Sequence, residues 1–382
     1  MAAVLSGVRV LELAGLAPAP FAGMILADFG ASVIRVDKVK TLISLDRLAR
    51  GKRSVAVDLH KPRGIETIKR LCAKSDVLIE PFRPGVMEKL GLGPKELMDE
   101  NPRLIYARLT GYGQTGPLAN RAGHDINYIA LTGLLSMLGR RDSNLTPPLN
   151  LLGDFAGGGL MCVMGILLAL LERGKSGRGQ VIDTAMVDGA AYVGSFAYMS
   201  QDLGIWPGKR GENLLDTGAP FYDTYKTSDG KYVAIGAIEP KFYQQLIKGL
   251  GLKEQVSEQM DFTKWVTRKE DFAKIFATKT QAEWCEVFKN TDACFAPVLT
   301  PEEAPQHPHN IERRTFINNE GTFEPTPAPK LSRTPGNASP RQLPKIGEHT
   351  VDVLMEYGFR EYEVKDLLKE EVIDTALRQS SL

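Results

Sequence analysis

"VRVLELAGLAPAPFAGMILADFGASVIRVD" (residues 8–37) sets a β-branched run, a helical run and a second β-branched run end to end. "VRVLEL" (8–13) reads as a strand, "FAGMILADFG" (21–30) as a helix and "SVIRVD" (32–37) as a strand. Two consecutive strands joined through a helix are expected to lie parallel, since a parallel pair needs such a crossover and an antiparallel pair needs only a tight turn. Working outward, "SVAVDL" (54–59), "SDVLIE" (75–80) and "RLIYARL" (103–109) repeat the strand pattern, with helical segments such as "GIETIKRLCAK" between them. That alternation predicts an α/β fold, a parallel sheet with helices on its faces. A dinucleotide-binding crossover would open its helix with GxGxxG. Here "AGLAPAPF" (14–21) places Pro18 and Pro20 in the loop, and Asp37 ends the second strand without those glycines. The NAD reading falls.

Further along, "FYDTYKTSDGKYVAIGAIEP" (221–240) is two β-rich runs around "SDGK", a hairpin pattern. Helical segments follow from Lys241 to Lys289, and six prolines between Pro325 and Pro344 mark an extended connector. "GEHTVDVLMEYGF" then returns to an amphipathic helix, with Thr350 expected as its N-cap. The expected layout is a large α/β domain from residues 1–188 and 326–382, linkers at 189–216 and 306–325, and a smaller α+β domain at 217–305.

The totals are those of an ordinary two-domain globular chain: 382 residues, 43% hydrophobic, 24% charged and a net charge of +1. So small a surplus argues against nucleic acid as the main partner. The four cysteines lack CxxC spacing and read as thiols in a reducing compartment. The longest uncharged run, "FAGGGLMCVMGILLALL" (155–171), has 17 residues and reads as a buried core helix rather than a membrane span. The N-terminus has no charged region followed by an apolar one, and secretion is not expected.

Chemistry concentrates in two places. "GHDINY" (123–128) sets His124 beside Asp125 at the head of an apolar stretch, in a chain with only five histidines. "PLNLLGDFAGGG" (148–159) puts Asp154 before a long apolar helix. Taken alone, either residue reads as a helix-start group. The glycines at 157–159 lower helix propensity and imply close approach to that backbone. Together, a histidine and a carboxylate on separate helix starts suggest two acid/base groups facing one carbon. Two other strings mislead. "LLDTGA" within 212–222 matches an aspartic-protease signature, but no second DTG accompanies it. "HPHN" (307–310) lacks further ligands at metal spacing, so no metal site is expected. Lys38, Lys52, Arg53, Arg83 and Lys89 would suit a polyanion, against a plain solvated surface for most of them singly.

The motifs "VIRVDK", "RGKRSVAVDL", "PFRPGVMEKLGLGP", "NPRLIYARLTGYGQTGP", "AGHDINYIALTG", "NLLGDFAGGGLMC", "GRGQVIDTAMVDG", "GAIEPKFY" and "GEHT" resemble, in this order, the CaiB/BaiF (family III) CoA-transferase superfamily. "GHDINY" with "IEP" resembles its racemase branch, which acts on 2-methylacyl-CoA thioesters. The resemblance implies a Rossmann-like large domain built from both termini, a smaller α+β domain and an interlocked homodimer. It implies His124 and Asp154 as catalytic bases. Glu239 would be the acid that hydrogen-bonds the histidine from the partner chain, and the backbone at His124 and Asp125 the donor set for the thioester oxygen. Lys38, Val57, Asp58, Leu59, His60, Lys89, Ala122, Gly123, Ile126 and Asn127, with His124 and Asp125, match its CoA-binding segments. Lys38 stands where arginine is common, and His60 where lysine is. "GGGLMCVMG" matches an apolar surface for varied acyl chains, as flexible methionines suit. Coenzyme A is part of the substrate, and no other cofactor is implied. The alternative is a transferase in which Asp154 is a nucleophile forming an acyl anhydride; a binder without chemistry would need no paired bases. The family implies the peroxisome, with a mitochondrial share. The C-terminal Ser380-Ser381-Leu382 resembles an S-K-L address without its basic residue.

Overall fold

The computed structural model describes residues 3–41, 46–253, 256–337 and 343–376. Ser380, Ser381 and Leu382 lie outside them. The first half of the chain forms β1 (Arg9–Leu13), α1 (Pro18–Asp28), β2 (Ser32–Asp37), β3 (Arg53–Val57), α2 (Pro62–Ala73), β4 (Val77–Glu80), α3 (Val86–Lys89), α4 (Pro94–Glu100) and β5 (Ile105–Thr110). All five strands fall where the β-branched runs predict them. After α5 (Asp125–Leu131), a π-helical segment, Leu151–Leu160, runs straight into α6 (Met161–Ser176), followed by β6 (Val181–Ala185) and α7 (Met186–Val193).

The sheet has the order β3-β2-β1-β4-β5-β6, all parallel, with the short strand Ile373–Asp374 antiparallel on the outer edge of β3. Alternation along the strands splits the core in two. Leu11, Leu13, Ile34, Val36 and Leu78 face α2 and the C-terminal helices Thr350–Glu356 and Glu361–Lys369. Val10, Val33, Val77, Ile79 and Ile105 face α1 and α6. Each fully buried Leu or Ile contributes about 1.5–3 kcal/mol. β6 is the one parallel strand of this sheet that sequence reading missed. It is a sheet edge whose Val181 is exposed, so "VIDTA" shows no continuous apolar run.

Three local expectations are corrected. Thr350 is not an N-cap but the first helical residue, and its hydroxyl accepts the Ala56 N–H of β3 at 3.1 Å, pinning the C-terminal helices to the sheet. Lys52 is not solvated. Its ammonium is wholly buried against both Glu12 carboxylate oxygens, at 2.9 and 2.8 Å, and the Pro20 carbonyl at 2.8 Å. The apolar run 155–171 is not a fully buried helix. Cys162, Val163, Ile166 and Ala169 enter the core, whereas Leu160, Met164, Leu167, Leu168 and Leu171 are exposed in the single chain. By length and composition, Leu151–Ser176 is the one helix among the described residues that is long and apolar enough to cross a bilayer.

The chain divides into two compact units: Met1–Thr132 with Leu149–Val193 and Arg314–Leu382, and Gly133–Pro148 with Gly194–Arg313. The loop 133–148 thus belongs to the second unit, although the sequence layout had set it in the large domain. In the second unit the predicted hairpin, β7 (Tyr222–Lys226) and β8 (Tyr232–Gly236), pairs onward with β9 (Phe295–Val298). An aromatic core of Phe221, Tyr243, Trp265, Phe276 and Trp284 backs this antiparallel sheet. Asp216, the aspartate of the protease-like string, closes a turn by accepting the Gly211 and Asn213 N–H groups at 2.8 and 2.7 Å.

Candidate active site

β1 and β4 are neighbours, yet the chain leaves β1 toward β2 and β4 toward β5. Loops at their carboxyl ends therefore diverge, and a crevice opens where open α/β sheets bind ligands. A cavity of about 600 Å³ occupies that point. Gly15 and Leu16 after β1, Pro81 to Arg83 after β4, and Gly111 and Tyr112 after β5 form one side. Ala122, Gly123, His124, Asn127, Tyr128 and Asp154 complete it.

His124 is extended (φ −132°, ψ 175°) and stands at the N-cap of α5, exposed on the cavity wall. Its N–H donates to Asn127 Oδ1 at 3.1 Å, which sets the direction in which the chain enters the helix. The N–H groups of Asp125 and Ile126 open α5 and have no partner within it. Tyr128, one turn on, donates its hydroxyl to the Gly123 carbonyl and packs edge-on against Tyr112, with ring centroids 4.9 Å apart. Burial and the nearby Asp154 carboxylate push the Tyr128 phenol up to about 12, so it holds that loop as an O–H donor at neutral pH.

Asp154 lies in the first turn of the π-helical segment, half-buried, and accepts a hydrogen bond from Asn150 Nδ2 at 3.2 Å. Burial lifts its pKa above the ordinary aspartate value and Asp125 adds to the rise, while Asn150 and His124 pull against it. The close approach implied by the glycines at 157–159 comes from other helices. A Cβ on Gly157 would lie 2.5 Å from the Ala190 amide nitrogen of α7, and one on Gly159 2.7 Å from the Phe21 ring of α1. On its other flank, Leu151, Phe155 and Leu160 line a larger cleft of about 1430 Å³ with Phe21, Met24 and Ile25 of α1.

The remaining sequence-derived residues fall in three places. Ala122 to Asn127 gather at the cavity, except that Asp125 is turned inward and buried and Ile126 is exposed. Lys38 directly follows β2, Val57 ends β3, and Asp58 to His60 continue from it, at the same carboxyl end of the sheet but outside the cavity lining. Asp58 Oδ1 accepts the His60 N–H at 3.0 Å, leaving His60 exposed; Lys89 ends α3, also exposed. Glu239 belongs to the second unit, exposed at the N-cap of the helix Pro240–Gly249. Sequence reading missed Tyr112, Tyr128 and Asn150. Asn150 had a usable signal, standing four residues before Asp154 and so on the same helical face.

A Rossmann-ordered sheet with a histidine and an aspartate lining the cavity at its switch point defines the setting, and the family follows. The chain belongs to CoA-transferase family III, whose model matches residues 5–350. Over 381 residues it is 56% identical to the alpha-methylacyl-CoA racemase of Mus musculus, covering 99% of this chain and all of that one. It is 54% identical over 380 residues to the protein of the same name from Homo sapiens, with 99% and 100% covered. Among solved structures, a CaiB/BaiF family protein from Brucella suis matches with a TM-score of 0.79 and 27% identity, over 94% of this chain and all of that one.

Proposed function

We propose that this chain is an enzyme, a racemase that inverts the α-carbon of 2-methylacyl-CoA thioesters by proton transfer through an enolate. The observation that carries the reading is a single cavity lined by both His124 and Asp154, in a chain so similar to named racemases. One base removes the α-proton, the electron pair moves onto the thioester oxygen, and the other group returns a proton to the opposite face. The α-proton is weakly acidic, so the enolate oxygen needs preorganised donors, and the N–H of Asp125 at the start of α5 is the one we assign. Lys38, Val57 to His60, Lys89 and the 122–127 loop would hold coenzyme A, which arrives with the substrate; no further cofactor is required. The reading places the enzyme in peroxisomes, with a share in mitochondria.

An interlocked homodimer completes the proposal, with Glu239 hydrogen-bonding His124 of the partner subunit. The exposed apolar side of α6 is support for a covering partner, since four large apolar residues, Met164, Leu167, Leu168 and Leu171, lie along it. Refolding a Glu239→Ala chain together with a His124→Ala chain tests it. Random pairing makes about half the dimers mixed, each with one intact site, so activity should return to about a quarter of wild type. Mixed dimers without activity would place both residues in one chain's site.

The transferase alternative is separated by one incubation. In heavy water with a 2-methylacyl-CoA and a free carboxylic acid, the racemase washes deuterium into Cα and leaves CoA where it was. CoA transfer to the acid without α-deuterium would make Asp154 a nucleophile instead. Tight thioester binding with neither outcome would leave only a binder.

A further inference from the structure

We propose that the Asp125 side chain is a positioning residue that fixes Asp154 relative to His124, and so sets the spacing between the two bases. The proposal rests on the racemase reading above and adds to the Asp125 backbone role a separate one for its carboxylate. Asp125 is only 4% exposed, and Oδ2 accepts two consecutive amides, Gly153 N–H at 2.6 Å and Asp154 N–H at 2.7 Å. Its Oδ1 is buried and takes no hydrogen bond among the described residues, so these two amides are the whole protein tether. One end of the tether is the residue after His124; the other is Asp154 itself.

The tether supplies what the helix start lacks. The residue before the π-helical segment, Asn150, caps none of its amides with a side chain. First-turn amides want an acceptor, and a carboxylate there also suits the helix dipole. Asp125 provides both from a neighbouring helix. Residue 153 must be glycine for this to happen, because a Cβ there would lie 2.7 Å from Asp125 Oδ2 and 3.0 Å from its Cγ. Its negative charge is also among the causes that raise the Asp154 carboxyl. Among the described residues, the other titratable or charged groups around Asp154 are His124 just before α5, Tyr128 on it, and Tyr112, Arg83 and Arg121 on the cavity wall. Asp28 of α1 is paired with Arg50, and Asp188 of α7 is exposed.

Asp125→Ala, Asp125→Asn and Gly153→Ala test this, with kcat and KM measured from each epimer across pH and melting temperature followed alongside. Misplacing a base by about 1 Å costs roughly 10²-fold, so Asp125→Ala and Gly153→Ala should lose about that in kcat from both epimers, with KM within about threefold. Asp125→Asn keeps an oxygen acceptor and removes the charge. It should retain at least about a tenth of wild-type kcat, and the acid limb of the direction in which Asp154 is the base should move to lower pH, the other limb staying in place. A purely structural role moves neither limb selectively. Asp125→Ala within about threefold of wild type, or Asp125→Asn with both limbs unmoved, would overturn the proposal. Failure of the racemase reading looks different: wild type itself then shows no α-deuterium. If Asp154 proves a nucleophile, the same three variants must lower CoA transfer by a comparable factor, or the tether falls too.

Discussion

In heavy water, His124→Gln should lose α-deuterium exchange mainly from the (S)-epimer, and Asp154→Asn mainly from the (R)-epimer, while inversion collapses in both. A planar enolate held in place exposes two faces, and one side chain cannot serve both. General acid–base groups are worth roughly 10²–10⁴-fold, so inversion should fall by about that in either variant while each retains exchange from one epimer. The pH dependence has a defined sign. Asp154 must be ionised to act as the base, and burial holds its pKa above the ordinary value. The (R) direction therefore loses rate, as pH falls, at a higher pH than a free aspartate would impose. In the (S) direction the proposed mechanism has Asp154 supply the proton, and the raised pKa favours that form. Chiral analysis and α-deuterium content by mass spectrometry read both directions. Near wild-type inversion in either variant would end the two-base account, and His124 would be only a helix start.

Lys52→Met should destabilise the large unit by about 3–5 kcal/mol, the loss expected when one member of a buried ion pair is removed. Lys52 spends all three ammonium donors on Glu12 and the Pro20 carbonyl, with neither charged side chain exposed. Burial raises the Glu12 carboxyl even with Lys52 opposing it. Without the ammonium, the folded state holds a proton on Glu12 more tightly than the unfolded state does. The variant should then gain relative stability as pH falls and lose it as pH rises through that folded pKa. Urea unfolding at several pH values measures this, and Glu12→Leu with Lys52→Met should recover most of the loss. A loss below about 1 kcal/mol in the single variant would mean that Glu12 relaxes to solvent or carries its own proton at little cost.

The fold was legible where burial makes the code loud. β1 to β5 sit inside the sheet and are rich in buried β-branched and other apolar residues, so their runs and the intervening helices announced a parallel sheet. β6 was silent, because an edge strand needs no apolar face on both sides. His124 and Asp154 were legible as residue types at helix starts. What joins them was not, since Asp125 and Gly153 are 28 residues apart and neither bears a local mark of the other. Lys52 misled for a related reason: a lysine in a charged string looks solvated until the tertiary fold brings a carboxylate to it. Thr350 likewise looked like a cap, and its actual partner, Ala56, lies 294 residues away.

The π-helical segment that carries Asp154 faces two hollows at once, and its grip on the neighbouring helices is made at glycines. Apart from Phe21, which meets Gly159 and also lines the larger cleft, the residues at the glycine contacts are not those that shape that cleft. Exchanging Leu151, Phe155 or Leu160 for other apolar side chains alters that cleft without adding a methyl at the glycine contacts. The chain thus separates the backbone contacts that place Asp154 from most of the side chains that shape the cleft. Apolar exchanges in the cleft are expected to reshape it while the Asp154 carboxylate stays where the glycine contacts put it.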